Sequence, residues 1–150
     1  MAIQIAVIGA GECERQVAER AAGVGRAIAG CGAVLLTGGL GGVMEAASRG
    51  AREAGGTVIG ILPGANRHAA NEHVTVEIVT NVGHARNVML AHSADAMIAI
   101  SGSYGTLSEI AIGLKLGKPV IGLGSWEIDG VLAADSPEQA VKLAISKCGG

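Results

Sequence analysis

Six short runs of aliphatic residues, each followed by a longer stretch rich in small or helix-forming residues, limit what this chain can fold into more than any other feature. The runs cover residues 3–8, 33–37, 57–61, 74–79, 96–100 and 120–123. Each is apolar almost without a break, so the strand it forms needs cover on both faces, as in a parallel sheet between helices. Helices are expected over residues 13–29, 42–54, 82–93, 104–116 and 137–146. In the second of these, Val43, Ala46, Ala47, Gly50, Ala51 and Ala54 share one face, and Glu45, Arg49, Arg52 and Glu53 take the others. That small-residue face suits close packing on another helix or on the sheet. Ser136 before Pro137 has the pattern of a helix start. Strand, helix and strand repeated in this way predict right-handed crossovers and a doubly wound, mostly parallel α/β sheet with helices on both faces.

The 150 residues read as one domain, enough to bury roughly two thirds of the unfolded surface. With 49% hydrophobic and 16% charged residues the chain is globular rather than disordered. It has no Phe, one Tyr and one Trp, so the core must be built from small aliphatics. The 11 basic and 13 acidic residues are scattered, and stacking aromatics are scarce, which argues against a nucleic-acid partner. Cys13, Cys31 and Cys148 are odd in number and far apart, the pattern of reduced thiols. No basic segment precedes the first apolar run, and charges or glycines interrupt every stretch of membrane-spanning length. A cytoplasmic protein with no membrane partner is therefore expected. The longest irregular stretch, residues 63–71, is expected to be a surface loop near the ligand.

Three glycine clusters stand where predicted strands hand over to predicted helices. They are Gly9-Ala10-Gly11, Gly38-Gly39-Leu40-Gly41-Gly42 and Gly102-Ser103-Tyr104-Gly105-Thr106. Open α/β sheets bind ligands at such ends, because glycine lets an anion approach the backbone and helix-start N–H groups point at it. The other reading is that each cluster only makes a tight turn. No third glycine completes a dinucleotide fingerprint, no acidic residue is placed for a ribose, and no P-loop is present, which disfavours nicotinamide chemistry and excludes a P-loop kinase or ATPase. Arg86, with Asn87 beside it, opens a predicted helix after the fourth strand. It is either a bidentate clamp for phosphate or carboxylate, or a solvated helix arginine. Glu109 lies three residues beyond Thr106, which fits both a capping box and a general acid, base or hydroxyl acceptor. Glu45 is either directed at the crevice or an exposed first-turn glutamate. His68, His73, His84 and His92 do not form a metal-ligand series, so no metal site is expected.

Residues 37–64 (TGGLGGVMEAASRGAREAGGTVIGILPG), 83–87 (GHARN) and 101–110 (SGSYGTLSEI) together resemble the LOG-like (SLOG) Rossmann superfamily, in order and over nearly the whole chain. The likeness is to the short branch that includes molybdenum-cofactor carrier proteins and DprA-related proteins. It implies a Rossmann-like fold, a small phosphorylated ligand and a homo-oligomer, either dimer or tetramer. In the LOG enzymes a PGGxGTxxE motif and an upstream arginine cleave cytokinin riboside monophosphates. By position Arg86 matches that arginine, and Gly102, Gly105, Thr106 and Glu109 match the motif. Ser101 replaces its proline, Ser103 a glycine, and Asn87 a lysine that often follows the arginine. Glu45 stands where those enzymes usually have glycine, which would put a negative charge near the nucleotide pocket.

Three functions follow as expectations. The first is a binding protein for a nucleotide monophosphate or the molybdenum cofactor, requiring no cofactor of its own. The second is a nucleoside 5′-monophosphate phosphoribohydrolase, with Arg86 and Glu109 catalytic. The third is a nucleotide-sensing module acting through a partner. The lysine decarboxylase label attached to the superfamily has no support here. Lys115, Lys118, Lys142 and Lys147 all lie late in the chain, away from the glycine turns.

Overall fold

Seven parallel strands form one sheet in the order β4-β3-β2-β1-β5-β6-β7 in the computed structural model, which describes residues 1–148. The strands are β1 (Gln4–Gly9), β2 (Val34–Thr37), β3 (Val58–Leu62), β4 (Val76–Val79), β5 (Ala96–Ile100), β6 (Val120–Leu123) and β7 (Leu132–Ala133). The helices are α1 (Arg15–Gly30), α2 (Val43–Glu53), α3 (Arg86–Ser93), α4 (Tyr104–Lys115) and α5 (Pro137–Cys148). The register runs Ile5 beside Leu35 on one side and Ile5 beside Ala96 on the other. The strand order therefore reverses at β1, with β2 and β5 on its two flanks.

Alternate side chains of each central strand feed two cores. Ile5, Val7, Leu35, Ile98 and Ile121 point to the face covered by Val24 and Ile28 of α1, Ala47 of α2 and Val141 of α5. Ala6, Ile8, Leu36, Met97 and Ala99 point to the opposite face, under Leu90 of α3 and Ile110 of α4. All of these side chains are essentially inaccessible to solvent. Each large aliphatic among them contributes about 1.5–3 kcal/mol by leaving water. The doubly wound α/β architecture expected from the sequence is the one observed.

The small-residue face of α2 packs inside the molecule, against α1. A Cβ on Gly25 would overlap the Ala47 carbonyl, and a Cβ on Gly50 would overlap that of Ala22. Each glycine thus lets the partner helix's main chain come into direct contact. Ala54, expected on the same face, follows the end of α2 and is exposed.

Three expectations need correction. β7 was not expected: two residues, Leu132 and Ala133, carry no period that a sequence reading could find. β4 is not covered on both faces, because it is the sheet's edge and Val76, Ile78 and Val79 are exposed. The helix expected from residue 82 begins as a 3-10 turn, Gly83–Ala85, and becomes α-helical only at Arg86. At α5 the expected start holds, with Ser136 Oγ accepting from the Gln139 N–H at 3.1 Å. None of the described helices is long and apolar enough to cross a membrane.

Candidate functional site

A crevice of about 190 Å³ opens at the C-terminal ends of β1 and β5, where the strand order reverses. This is the position at which open α/β sheets hold ligands. Gly9, Ala10 and Gly11 leave β1 along one wall, and Gly38 with Met44 forms a second. His84 enters from the 3-10 turn before α3, Arg86 and Asn87 from the start of α3, Ser103 from the cap of α4, and Gly105, Thr106 and Glu109 from α4 itself.

Arg86 is built into the walls. Its Nη1 donates to the carbonyls of Gly38 at 2.6 Å and Ile61 at 2.9 Å, and its Nε donates to Asn87 Oδ1 at 2.8 Å. The guanidinium therefore joins the ends of β2 and β3, and Gly38 is needed there because a Cβ would collide with it. Of its five N–H donors, three are committed and the two on Nη2 are left for a ligand. Neither sequence reading of Arg86 describes this. It is half-buried rather than a solvated arginine, and it offers one nitrogen rather than a two-nitrogen fork. Burial lowers its pKa, and Glu109 opposes that shift.

Glu109 is 9% exposed. Burial raises its carboxyl to about 7, with Arg86 pulling it back partway. It is the sixth residue of α4, so it is not in the first turn, and the helix is capped at Ser103 without a side-chain hydrogen bond. The expected Thr106–Glu109 capping box is absent. Thr106, the third residue of α4, is 2% exposed, and its Oγ1 has no hydrogen-bond partner among the described residues. Such an orphan is costly and uncommon. The turn that precedes α4 is backbone-strained, with Ser101 at φ 51° and Gly102 at φ 122°. A left-handed serine persists only where its surroundings impose it, and sites are where such strain collects.

The crevice gathers Gly9, Ala10, Gly11, Gly38, Arg86, Asn87, Ser103, Gly105, Thr106 and Glu109 from the residues singled out in the sequence. It does not gather Gly39, Leu40, Gly41, Gly42, Gly102 or Tyr104. The chain turns away after Gly38, where Asn71 staples the loop. The Asn71 Nδ2 donates to the carbonyls of Gly39 and Leu40, and its backbone N–H also donates to Gly39. Gly42 is pressed on the Ala10 carbonyl, which accepts from Val43 N–H at 3.0 Å. At Gly102 the space a Cβ would need is taken by the Thr106 side chain. Tyr104 projects outward, 81% exposed.

The 63–71 loop therefore braces the back of a turn rather than lining the crevice. Glu45 also lies outside it, in a separate hollow with Cys13, Arg49, Glu72 and His73, so no charge from Glu45 enters the candidate site. Glu45, Glu72 and His73 bring one ligand atom each within 4.8 Å of one another. Both carboxylates are exposed, and such surface groups are common without an ion. The sequence reading did not single out Met44 and His84 as crevice residues. Their nearness to Gly38 and Arg86 in the chain was the available signal.

The family model described as the SLOG cluster4 family matches residues 2–147. An uncharacterised protein of Archaeoglobus fulgidus is 49% identical over 145 residues, covering 96% of this chain and 95% of that one. A cytokinin riboside 5′-monophosphate phosphoribohydrolase of Mycobacterium tuberculosis is 34% identical over 129 residues, covering 79% of this chain and 68% of the enzyme. Among solved structures, the molybdenum cofactor binding protein of Rippkaea orientalis superposes with a TM-score of 0.92 at 41% identity, covering 97% of each chain. The molybdenum cofactor carrier protein of Chlamydomonas reinhardtii superposes with a TM-score of 0.92 at 33% identity, covering 100% of each. With the family model spanning almost the whole chain, this protein belongs to the SLOG cluster4 family.

Proposed function

We propose that the crevice binds a small phosphate-bearing ligand, a nucleotide monophosphate or a pterin-based molybdenum cofactor, and holds it without breaking a bond. The observation that carries this reading is the orphaned Thr106 hydroxyl. A buried O–H without a partner costs about 1–3 kcal/mol, and an anion in the crevice would remove that cost. The groups around it have matching chemistry. The first turn of α4 has no side-chain cap, so its N–H groups and helix dipole favour a negative guest. Gly9, Ala10 and Gly11 have no bulky side chain to screen their main chain, and Nη2 of Arg86 supplies positive charge. The ligand is cargo in this reading. Its reactivity is its own, and the protein's part is to bind, orient and shield it.

Full-length likeness to two proteins whose titles describe molybdenum-cofactor binding or carriage supports a carrier over a hydrolase. A homo-oligomer, dimer or tetramer, goes with this reading. A second reading rests on Glu109. A carboxyl with a pKa of about 7 in the same crevice is poised to give a proton to a departing base nitrogen, as a phosphoribohydrolase requires. Native mass spectrometry of the purified protein, paired with incubation on AMP, separates the two. Carrier function gives a co-purifying phosphorylated mass and no free adenine. Adenine release that disappears in Glu109→Gln would refute it in favour of the hydrolase. No retained mass, no turnover and no affinity for AMP or phosphate would refute both.

A further inference from the structure

We infer that Tyr104 and Trp126 form a platform for the flat end of the crevice's ligand, and that this end is an amino-bearing bicyclic heterocycle of the purine or pterin type. The inference rests on the phosphate-binding reading above and adds the recognition of the ligand's other end. The chain has no Phe, one Tyr and one Trp. In so aliphatic a protein the expected place for two large rings is the core, where each would bury most apolar surface. Tyr104 instead projects outward beside crevice-lining Ser103, and Trp126 is only partly buried, packed on one side against the second core. Tyr104 is 81% exposed, and its ring lies against that of Trp126 with centroids 6.2 Å apart and planes 28° from parallel.

The pair is held in place from the crevice side. Trp126 Nε1 donates to the carbonyl of Ser103, a crevice residue, at 3.2 Å. The neighbouring Ser125 Oγ donates to the carbonyl of Ser101 at 2.6 Å. Two bonds thus tie the loop after β6 to the strained turn that opens α4. A single stacked pair fixed in this way loses little freedom when a third ring joins it, which makes it a good receptor for one.

Size and charge narrow the guest. Sites for molecules as large as a nucleotide usually enclose about 300–1,000 Å³. The crevice, at about 190 Å³, has room for a phosphate and its adjoining sugar or linker but not for a bicyclic ring as well. The ring must lie beyond the rim, and Tyr104 is the residue between crevice-lining Ser103 and Gly105. Trp126 also lines a hollow of about 410 Å³ together with Glu127 and Asp129. Carboxylates there would accept from exocyclic amino groups and ring N–H of a ring laid on the pair. Such acceptors favour a nitrogen-rich, amino-substituted ring.

The test compares AMP, inosine monophosphate and ribose 5-phosphate on the full-length protein, with affinities from calorimetry and emission from Trp126, the single tryptophan. Stacking predicts that AMP binds about ten-fold or more tightly than ribose 5-phosphate. AMP should also bind more tightly than inosine monophosphate, and only the ring-bearing ligands should quench Trp126. Tyr104→Ala should collapse the ratio of AMP to ribose 5-phosphate affinity towards one, and Tyr104→Phe should restore it. Equal affinity for AMP and ribose 5-phosphate, or a ratio unchanged in Tyr104→Ala, overturns the platform and leaves the phosphate site standing. Absence of binding by all three overturns both. Because Tyr104 is exposed, its variants keep the fold, and a change of oligomeric state with the ratio intact would assign the pair to a subunit contact and overturn the inference.

Discussion

Thr106→Val exchanges a hydroxyl for a methyl group at a position 2% exposed, in the floor of the crevice. Valine matches threonine in shape and differs little from it in helix propensity, so the change isolates one O–H group. That group is buried without a partner among the described residues, an arrangement that costs about 1–3 kcal/mol. Without ligand the variant should therefore be more stable than the parent, by about 1–2 kcal/mol, raising Tm by about 2–8 °C. With an anion bound the sign reverses. A hydrogen bond to a charged acceptor contributes about 1.5–3 kcal/mol, so ribose 5-phosphate should bind the variant about 10- to 150-fold more weakly. Thermal melts without ligand and over a titration with ribose 5-phosphate read both effects in one assay, since ligand linkage converts affinity into a Tm shift. A variant that is stabilised yet binds as well as the parent would show that Oγ1 never meets the ligand. A destabilised variant would show that the hydroxyl has a partner in the unliganded protein, and the reasoning would fail at its first step.

Glu109→Gln tests the buried carboxyl by pH. A folded pKa of about 7, raised above its ordinary value, means the native state holds a proton that the unfolded chain has already released. Stability should then fall as pH rises from about 4.5 to 7, by up to about 3 kcal/mol, and stay low above that. The glutamine variant should lose this fall in urea melts, and an equal slope in both proteins would remove Glu109 as its source. Arg86→Met leaves the carbonyls of Gly38 and Ile61 without their donor and should cost about 2–4 kcal/mol. A Tm within error of the parent would mean that Arg86 does not brace the strand ends. Gly25→Ala forces α1 off the Ala47 carbonyl and should cost about 1–3 kcal/mol in denaturant melts, whereas a stabilised variant would mean that the contact is looser than drawn.

Most of the sheet was legible because its strands announce themselves by composition. Five of the six aliphatic runs are central or nearly so, and continuous burial writes itself into continuous Val, Ile and Ala. Residues 74–79 differ only by Thr75 and Glu77 among their apolar residues and form the edge, since strand order depends on crossovers that no local pattern records. β7 was invisible for a related reason, being two residues held by register with Ile121 and Gly122. The glycine turns were found, yet glycine marks both a backbone bared to a ligand and a backbone pressed on another backbone. Gly9 and Gly38 line the crevice, yet a Cβ on either would also meet a side chain, Val43 or Arg86, while Gly42 abuts the Ala10 main chain and Gly102 the Thr106 side chain. Telling these apart needs the third dimension. So did Arg86, whose spacing showed that it could reach the crevice but not that two carbonyls would hold most of its donors. Glu45 stood in a suggestive motif and faces another side of the molecule, because one step along a helix turns a side chain by about 100°.

The reciprocal contact of Gly25 with Ala47 and of Gly50 with Ala22 has a consequence at the far end of the two helices. A seam of main chain against main chain leaves no rotamers to rearrange and no methyl groups to yield, so α1 and α2 behave as one stiff plate. That plate begins where the first two strands end, and it fixes how far apart the loops at Gly9 and Gly38 stand. An anion would enter a mould set when the chain folded, and little ordering would be left to oppose its capture.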